Sequence, residues 1–384
     1  MTMDEPLEQG PIRPPSEANS LLLRLTRNCP WNRCAFCRSY KTARFSLRAI
    51  PEILKDIDNL RRSADKLADF SLREGENGRI SEEIVQKIWD NDPVFDADDR
   101  TVARWLYWGG ESVFLQDADS LVMKTDDVVS VLMYLRRAFP SVRRITTYCR
   151  SHTAARKSVA ELQGLNAAGL TRIHVGLESG SDAVLKMINK GVTAAVHIEA
   201  GRRIRAAGIS LSEYIIPGLG GVDYSREHAR ETARVINAID PDFIRLRTLH
   251  VVQGTPLSEM MQNGVFTPPG DEDILREIRE FIHSLAGIGS TVVSDHILNL
   301  LEEVQGKMPA DKDTMLNVID RYFALSAEQR LVFRLGRRKG VYRYLDELSD
   351  DHTYRALKTI VNHYEQQRKG LLDKKISSLM NGYL

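Results

Sequence analysis

The sequence predicts an α/β fold, a parallel sheet curled into a partial (β/α)6 TIM-type barrel with a helical insertion and a helical C-terminal region. Six short apolar segments alternate with six longer segments of helical periodicity. Most of the helical segments begin after a Ser or Thr cap candidate, and several end at Gly or before Pro. Such alternation is typical of strand–helix–strand units that build a parallel sheet.

The predicted strands and helices follow in regular order. The strands are Leu21–Thr26, Val113–Gln116, Arg144–Tyr148, Arg172–Leu177, Ile209–Ile216 and Phe243–His250. The helices that follow them are Ala49–Leu67, Asp126–Phe139, Val159–Ala168, Ala194–Ala207, Arg226–Ile239 and Asp271–Leu285, with Thr125, Ser158, Thr193 and Ser225 as cap candidates of the middle four. We therefore expect an N-terminal extension over residues 1–20, a core barrel over residues 21–260, and a helical region over residues 261–384.

One connection is longer than the others. Roughly fifty residues separate the first helix from the second strand, where a few would be usual. Glu82–Asp90 and Ala97–Trp108 have helical patterns there, which predicts a helical insertion at about residues 68–108. This insertion either shapes a substrate site or decorates the periphery, and the sequence supports both roles equally.

Charge and composition exclude several classes of protein. The 53 Lys and Arg residues balance 52 Asp and Glu residues, which disfavours a nucleic-acid partner held by a long-range field. No run of 18 apolar residues exists, so we expect no membrane association. Four cysteines in 384 residues do not form a secreted disulfide framework, and no apolar signal segment opens the chain, so we expect a cytoplasmic protein.

Three of the four cysteines lie within nine residues of one another. Cys29, Cys34 and Cys37 have the spacing C-x4-C-x2-C, directly after the first predicted strand. Structural zinc sites use four protein ligands, whereas a [4Fe–4S] cluster on three thiolates leaves one iron open to another ligand. Zinc with a distant fourth ligand, or chance burial of three small residues, are the alternatives.

The strand followed by this cysteine loop resembles the start of a radical S-adenosylmethionine (radical SAM) enzyme. The usual signature of that superfamily is C-x3-C-x2-C with an aromatic residue before the last cysteine, and Phe36 matches that aromatic. This chain has one extra residue between Cys29 and Cys34. The core is similar to the elongator-type and the oxygen-independent coproporphyrinogen-oxidase-type members, and the resemblance covers about residues 12–255.

The resemblance implies an oxygen-sensitive enzyme with two cofactors, a [4Fe–4S] cluster and SAM. One electron from a donor such as flavodoxin or ferredoxin would cleave SAM into methionine and a 5′-deoxyadenosyl radical. That radical would take a hydrogen atom from a small molecule or cofactor precursor. Modification of RNA or protein is one alternative, and a non-catalytic iron–sulfur or zinc protein is another. The sequence leaves the substrate and the reaction subclass open.

The resemblance also implies candidate cofactor contacts at three strand ends. The string GLESGSD after the fourth strand supplies Glu178 and Ser179, for the ribose or amino-acid part of SAM. The glycine-rich end of the fifth strand supplies Ile216 and Gly218, for adenine. A Gly-Gly-Glu-like stretch should follow the second strand and hold the SAM amino group. Gln116 to Asp119 follow that strand, and Gln116 and Asp117 are the candidate contacts. Trp108–Glu111 contains the letters Gly-Gly-Glu but precedes the strand, so it is interpreted as the turn into it.

Two arginines alternate with apolar residues on the sixth strand. Charges within a parallel strand are costly unless they face a polar site. Arg245 and Arg247 are therefore candidates for binding an anionic group of SAM or of the substrate, with a buried salt bridge as the equal alternative. The fourth cysteine, Cys149, is interpreted as a packing residue.

Overall fold

The computed structural model describes residues 7–90, 94–367 and 371–380. The strands are β1 (Leu21–Arg24), β2 (Thr26–Arg27), β3 (Ser46–Leu47), β4 (Ser112–Gln116), β5 (Arg144–Cys149), β6 (Leu170–Glu178), β7 (Ser210–Ile215), β8 (Phe243–Leu246), β9 (Thr291–Val293) and β10 (Gly306–Lys307). The first eight helices are α1 (Ile50–Arg73), α2 (Glu82–Asp90), α3 (Ala97–Tyr107), α4 (Thr125–Ala138), α5 (Ser151–Ala154), α6 (Val159–Ala168), α7 (Asp182–Met187) and α8 (Ala194–Ala206). The others are α9 (Gly221–Ile239), α10 (Pro256–Gln262), α11 (Asp271–Ser284), α12 (Lys312–Ala324), α13 (Ala327–Arg338), α14 (Asp351–Gln367) and α15 (Leu371–Met380).

These elements confirm the predicted fold class. The six core strands β1 and β4 to β8 alternate with helices. The pairings of β1 with β4, β4 with β5, β5 with β6 and β7 with β8 are all parallel. The last four helices form the predicted helical C-terminal region. The chain divides into two compact units, the first made of Met1–Asn32, Ser39–Val175 and Glu199–Leu211, the second of Arg33–Arg38, Gly176–Ile198 and Ser212–Leu384.

In the first unit, strands β1, β4, β5 and β6 lie side by side. The register pairs Leu22 with Phe114, and Tyr148 with His174. Helix α1 covers this sheet because its buried residues recur every three or four positions, as the stripe Ile53, Ile57, Leu60, Ala64 and Leu67 shows. The carboxyl ends of the parallel strands share one edge, where ligands bind in such sheets.

The predicted insertion is helical and contains α2 and α3. Asp96 caps α3 by accepting from the Asp99 amide, and the Asp99 side chain accepts from the Asp96 amide in return. The buried side chains of α3 include Val102 and Trp105, and the helix packs against α1. This packing favours the peripheral alternative for the insertion.

In the second unit, β7, β8 and β9 are parallel and β10 is antiparallel to β9. Helices α9 and α11 pack against each other beside these strands. Strands β9 and β10 were not predicted, since segments of three and two residues carry no readable alternation. Among the described residues, no helix combines the length and apolar character needed to cross a bilayer.

Several predicted boundaries were wrong. The first strand ends at Arg24, because Thr26 pairs with Leu47 in the separate hairpin of β2 and β3. The sixth core strand ends at Leu246 rather than His250, since the Thr248 amide donates to the Asn299 side chain at 3.0 Å. Helix α9 begins at Gly221, before the predicted cap Ser225, whose hydroxyl donates to Glu277 instead (2.6 Å).

Candidate functional site

The first part of the cysteine loop is anchored to β4. The amide of Asn28 donates to Asp117 Oδ2 at 2.9 Å, and Asn28 adopts a left-handed φ of +72° that turns the chain toward Cys29. The Asn32 amide points at the Cys29 sulfur, at 3.4 Å. Hydrogen bonds to sulfur of this kind tune the potential of iron–sulfur clusters.

The second part of the loop, in the other unit, is held by backbone bonds around Ala35. The Ala35 amide donates to the Ile188 carbonyl (2.8 Å), and its carbonyl accepts from the Leu257 amide (3.0 Å). Ala35 is buried in an apolar cluster, and Phe36 packs against that cluster. The residues between Cys34 and Cys37 are therefore fixed, and the Cys37 amide donates to the Cys34 carbonyl at 3.4 Å.

The chemistry of these thiols fits a cluster. Cys29, Cys34 and Cys37 form no disulfide and are partly exposed, whereas Cys149 is buried as predicted. Burial and the neighbouring Asp119 raise the pKa of the Cys149 thiol, which opposes the thiolate that a metal requires. No described group of three or more His, Cys, Asp or Glu side chains converges on a single metal position.

The predicted contact Asp117 is fully occupied within the protein. Its carboxylate accepts from Arg24 Nε at 2.8 Å, from the Asn28 amide at 2.9 Å and from the Tyr40 hydroxyl at 2.8 Å. Arg24 Nη2 lies 2.6 Å from the same carboxylate, which is 0 % exposed. Burial and this carboxylate raise the pKa of Tyr40. The geometry makes Asp117 an anchor of the cysteine loop.

The N-terminal extension occupies the side chain of Gln116 in the same way. Its amide nitrogen donates to the carbonyls of Gly10 and Ile12, both at 3.1 Å, and its oxygen accepts from the Gly10 amide at 2.9 Å. A Cβ at Gly10 would lie 1.9 Å from an oxygen of Asp117, so only glycine fits there. Side-chain contacts from Gln116 or Asp117 to SAM would require these bonds to open.

Asp119 differs from its neighbour in the same loop. It is 0 % exposed, and the Thr153 hydroxyl donates to one carboxylate oxygen at 2.5 Å while the other oxygen has no partner. Burial raises the pKa of Asp119 to about 6. This carboxyl therefore stays protonated to a higher pH than a free Asp side chain.

Glu178 lies at the end of β6, where its carboxylate is slightly exposed and pairs with a lysine. Lys190 Nζ lies 2.8 Å from its Oε1, and their side chains are 13 % and 11 % exposed. Glu178 adopts a φ of +62°, uncommon for a residue with a side chain and frequent at functional sites. Its Oε1 would lie 2.2 Å from a Cβ at Gly176, so the glycine allows the side chain to fold back over the strand.

Two residues of this region were missed by the sequence analysis. Lys190 follows α7, twelve residues after Glu178, and its role becomes visible only through the ion pair. Glu213 on β7 is 1 % exposed, with one carboxylate oxygen unpartnered. Burial and the charge of Glu178 raise the pKa of Glu213 well above its usual value, while Lys190 opposes that shift. A charged residue inside an apolar strand was the available signal, as it was for Arg245 and Arg247.

Ser179 belongs to a buried network. His228 Nε2 lies 3.0 Å from the Ile216 carbonyl, which can only accept, so Nδ1 is the acceptor and the Ser179 hydroxyl donates to it at 2.8 Å. Glu277 accepts from the Gly218 amide and the Ser225 hydroxyl, each at 2.6 Å. Burial raises the pKa of Glu277. The network joins the loops after β6 and β7 to α9 and α11.

The predicted adenine stretch is satisfied internally along its backbone. The Ile216 amide donates to the Glu178 carbonyl at 3.1 Å, and the Gly218 carbonyl accepts from the Gly221 amide at 3.0 Å. Gly218 has a φ of +89°, which requires glycine, and Ile216 is 8 % exposed. The Ile216 carbonyl accepts from the Leu219 amide and from His228, so an adenine at this place would meet the Gly218 carbonyl and the apolar side chain of Ile216.

Arg245 and Arg247 share one carboxylate. Arg245 Nη1 lies 2.9 Å from Asp295 Oδ2, and Arg247 Nη1 lies 3.0 Å from Asp295 Oδ1. The salt-bridge alternative weighed for these residues is thus present, although a single acid serves two guanidinium groups. Asp295 comes from the segment after β9, a strand that was not predicted.

Part of the chain is similar to a known protein family. Residues 99–236 match the radical SAM superfamily, a range that begins downstream of the three clustered cysteines. A tRNA uridine(34) acetyltransferase of Methanocaldococcus infernus is 25% identical over 123 residues, 32% of this chain and 23% of that protein. The 4′-phospho-dehydrooxetanocin synthase of Priestia megaterium is 24% identical over 231 residues, 58% of this chain and 27% of that protein. The matches thus span about a quarter of these relatives.

Solved structures include a similar chain of low identity. The cobalamin-dependent S-adenosylmethionine radical enzyme OxsB, with aqua-cobalamin and S-adenosylmethionine bound, is 13% identical with a TM-score of 0.43. The superposition covers 95% of this chain and 53% of that one.

Proposed function

We propose that this chain is a radical SAM enzyme and that Cys29, Cys34 and Cys37 hold its [4Fe–4S] cluster, because residues 99–236 match the radical SAM superfamily. The observation that carries the proposal is the set of three partly exposed thiols on one loop, with the fourth thiol buried elsewhere. These three thiolates would hold the cluster, which when bound would supply the electron for reductive cleavage of SAM.

The protein's own residues bind and orient in this scheme. Asp117 and Arg24 hold the start of the cysteine loop, so the thiol of Cys29 is delivered in a fixed place. Glu178 accepts hydrogen bonds from the ribose or amino-acid part of SAM with the carboxylate oxygen that Lys190 leaves open. Lys190 orients that carboxylate through the ion pair between its Nζ and Glu178 Oε1, at 2.8 Å.

The loops after β6 and β7 form the second contact region. Ile216 offers its apolar side chain to the adenine base, and Gly218 offers its carbonyl group. Ser179 acts through His228 as a positioning residue, since its hydroxyl is already donated. The backbone of Gln116 to Asp119 remains the candidate contact for the SAM amino group.

We propose a small molecule or cofactor precursor as the substrate. The balanced charge of 53 basic against 52 acidic residues supports it, and so does the match to 4′-phospho-dehydrooxetanocin synthase across 58% of the chain. RNA is the second candidate, favoured by the similarity to tRNA uridine(34) acetyltransferase over 32% of the chain. An external donor of the flavodoxin or ferredoxin type supplies the electron.

Anaerobic reconstitution tests the cluster assignment. The chain is loaded with iron and sulfide, reduced with dithionite and mixed with SAM, and methionine and 5′-deoxyadenosine are quantified. We expect both products, together with the iron–sulfur absorbance near ~400 nm. Cys34→Ala should lose the absorbance and both products, whereas the matched control Cys149→Ala should keep them. Equal behaviour of the two variants, or a full cluster in Cys34→Ala, would contradict the assignment.

The two substrate classes are separated by deuterium transfer. Metabolite fractions and bulk tRNA from cells grown in deuterated medium are supplied in parallel, and deuterium in 5′-deoxyadenosine is measured by mass spectrometry. Label from a metabolite fraction alone supports the small-molecule proposal. Label from tRNA alone replaces it with the RNA alternative.

A further inference from the structure

A buried basic cluster, defined as Tyr214, Arg245, Arg247, Asp295 and His296, lies within the second unit at the carboxyl end of β8. Arg245 and Tyr214 are directly opposite in the register of β7 and β8. The Arg245 side chain is 6% exposed and that of Arg247 is 14% exposed, while Asp295 is 32% exposed. Asp295 is thus the most solvent-exposed of these three side chains.

The charges of the basic cluster do not balance. Asp295 pairs with both guanidinium groups, and no second carboxylate within the described ranges pairs with either of them. Two buried cations and one anion leave one positive charge, and an uncompensated buried charge is costly. The arrangement is more readily explained if a second anion enters.

Two polar nitrogens of the cluster remain open. Arg247 Nη2 is buried without a hydrogen-bond partner, and so is His296 Nδ1. Burial lowers the pKa of His296 to about 4, so its imidazole is neutral at neutral pH. The Arg247 guanidinium lies over the Tyr214 ring at 5.0 Å, which fixes its plane. Planar guanidinium forks match the two oxygens of a carboxylate or phosphate.

Backbone bonds place the basic cluster beside the SAM loops proposed above. The Arg247 amide donates to the Ile215 carbonyl at 2.9 Å, and the next amide, that of Ile216, donates to the Glu178 carbonyl at 3.1 Å. Arg247 is thus one strand away from the loop that carries Ile216 and Gly218. A group bound there would lie next to the loop proposed to contact SAM.

We propose that Arg245 and Arg247 bind an anionic group of the substrate, a carboxylate or a phosphate, rather than the carboxylate of SAM. The inference rests on the proposed function, since it names the class of substrate for that site. Arg247 supplies its open Nη2, and His296 supplies a neutral polar partner. Asp295 holds the two guanidinium groups in place and limits their net charge.

Calorimetric titration of the full chain with inorganic phosphate, and separately with acetate, tests this. We expect millimolar or tighter binding of at least one anion, and the stronger of the two identifies the chemistry. Arg247→Gln should raise its dissociation constant at least tenfold. Arg276→Gln, a matched control at an exposed arginine paired with Asp273, should bind the anion as the unaltered chain does.

A second variant should change the anion affinity in the opposite direction. Asp295→Asn removes the competing carboxylate, so we expect the anion to bind several-fold more tightly. A merely structural role of the ion pairs predicts loss of binding in both variants. Thermal melts followed by circular dichroism identify any variant that fails to fold. The variant that still folds then distinguishes anion binding from a merely structural role.

Three outcomes would overturn the proposal. They are no anion binding by the unaltered chain, equal loss in Arg247→Gln and Arg276→Gln, and weaker anion binding in a folded Asp295→Asn. A tenfold loss of SAM affinity in Arg247→Gln would instead assign the arginines to SAM. None of these titrations needs SAM cleavage, so their failure is distinguishable from failure of the cluster assay.

Discussion

Asp117 and Glu178 both lie at the carboxyl ends of parallel strands, yet their carboxylates are used differently. Asp117 is fully buried and accepts from Arg24, Asn28 and Tyr40. Glu178 is 13 % exposed and pairs with Lys190 through a single oxygen. A carboxylate offers about four acceptor positions, and those of Asp117 are largely taken. An acid of this first kind can order a loop, whereas the second kind can receive a ligand.

The largest expected effect belongs to Asp117→Ala. Removing the buried acid leaves Arg24 short of a partner and frees the Asn28 amide, a loss of about 3–5 kcal/mol in the free energy of unfolding. We also expect iron uptake on reconstitution to fall strongly, because the cysteine loop loses its anchor. Urea unfolding and iron analysis check this. Normal iron content in Asp117→Ala would show that Asp117 is not needed to order the cysteine loop.

The second-largest expected effect is a pH dependence of the free energy of unfolding that comes from Asp119. Its carboxyl has a pKa of about 6 in the folded chain against 3.8 for the free group, so folding favours the protonated form. The cost of burying the charge grows as pH rises from about 4 to about 6, and amounts to about 3 kcal/mol above that range. Asp119→Asn should remove this slope. Unfolding curves of both proteins at pH 4.5 and 7.5 measure it, and parallel slopes would refute it.

Glu178→Gln tests the other side of the comparison. The change keeps the shape and removes the charge, so we expect normal cluster content and SAM affinity weaker by roughly 10–100-fold, as for a lost charge-assisted hydrogen bond. Equilibrium binding of SAM measures it. Glu259→Gln, at an exposed position on α10, is the control. SAM affinity equal to that of the control would remove Glu178 from the proposed site.

Ser179→Ala has the smallest expected effect. It removes the donor to His228 and costs about 1 kcal/mol of stability. A positioning role predicts a change in SAM affinity of no more than about threefold. A loss as large as that of Glu178→Gln would instead make Ser179 a direct contact.

The sequence could predict what local patterns encode. The alternation of strands and helices, the box of Ser158 and Glu161, and the turn at Gly109 and Gly110 all depend on neighbouring residues and are present. The short strands β9 and β10 could not be predicted, since their identity comes from pairing with distant segments. The hydrogen bonds of the Gln116 side chain could not be predicted either, because its partners Gly10 and Ile12 lie more than a hundred residues away in the sequence.

The same limit applied to the candidate site. The sequence motifs marked both Asp117 and Glu178 as candidate SAM contacts. A sequence shows which acidic residues are present, but not which hydrogen-bond donors reach them in the fold. Lys190 was missed for that reason. Arg245 and Arg247 could be singled out, since a charge inside an apolar strand always needs an explanation, although Asp295 became visible only with the fold.

The network of His228 and Glu277 has a consequence for motion. The Gly180 amide donates to the Thr232 hydroxyl on α9, and the Gly218 amide donates to Glu277 on α11, a helix that packs against α9. Neither loop can open without disturbing these helices. In native-state hydrogen exchange the two amide protons should therefore belong to one cooperative opening unit and exchange slowly together. Rigid walls of this kind would keep a reactive radical away from solvent and from the protein itself.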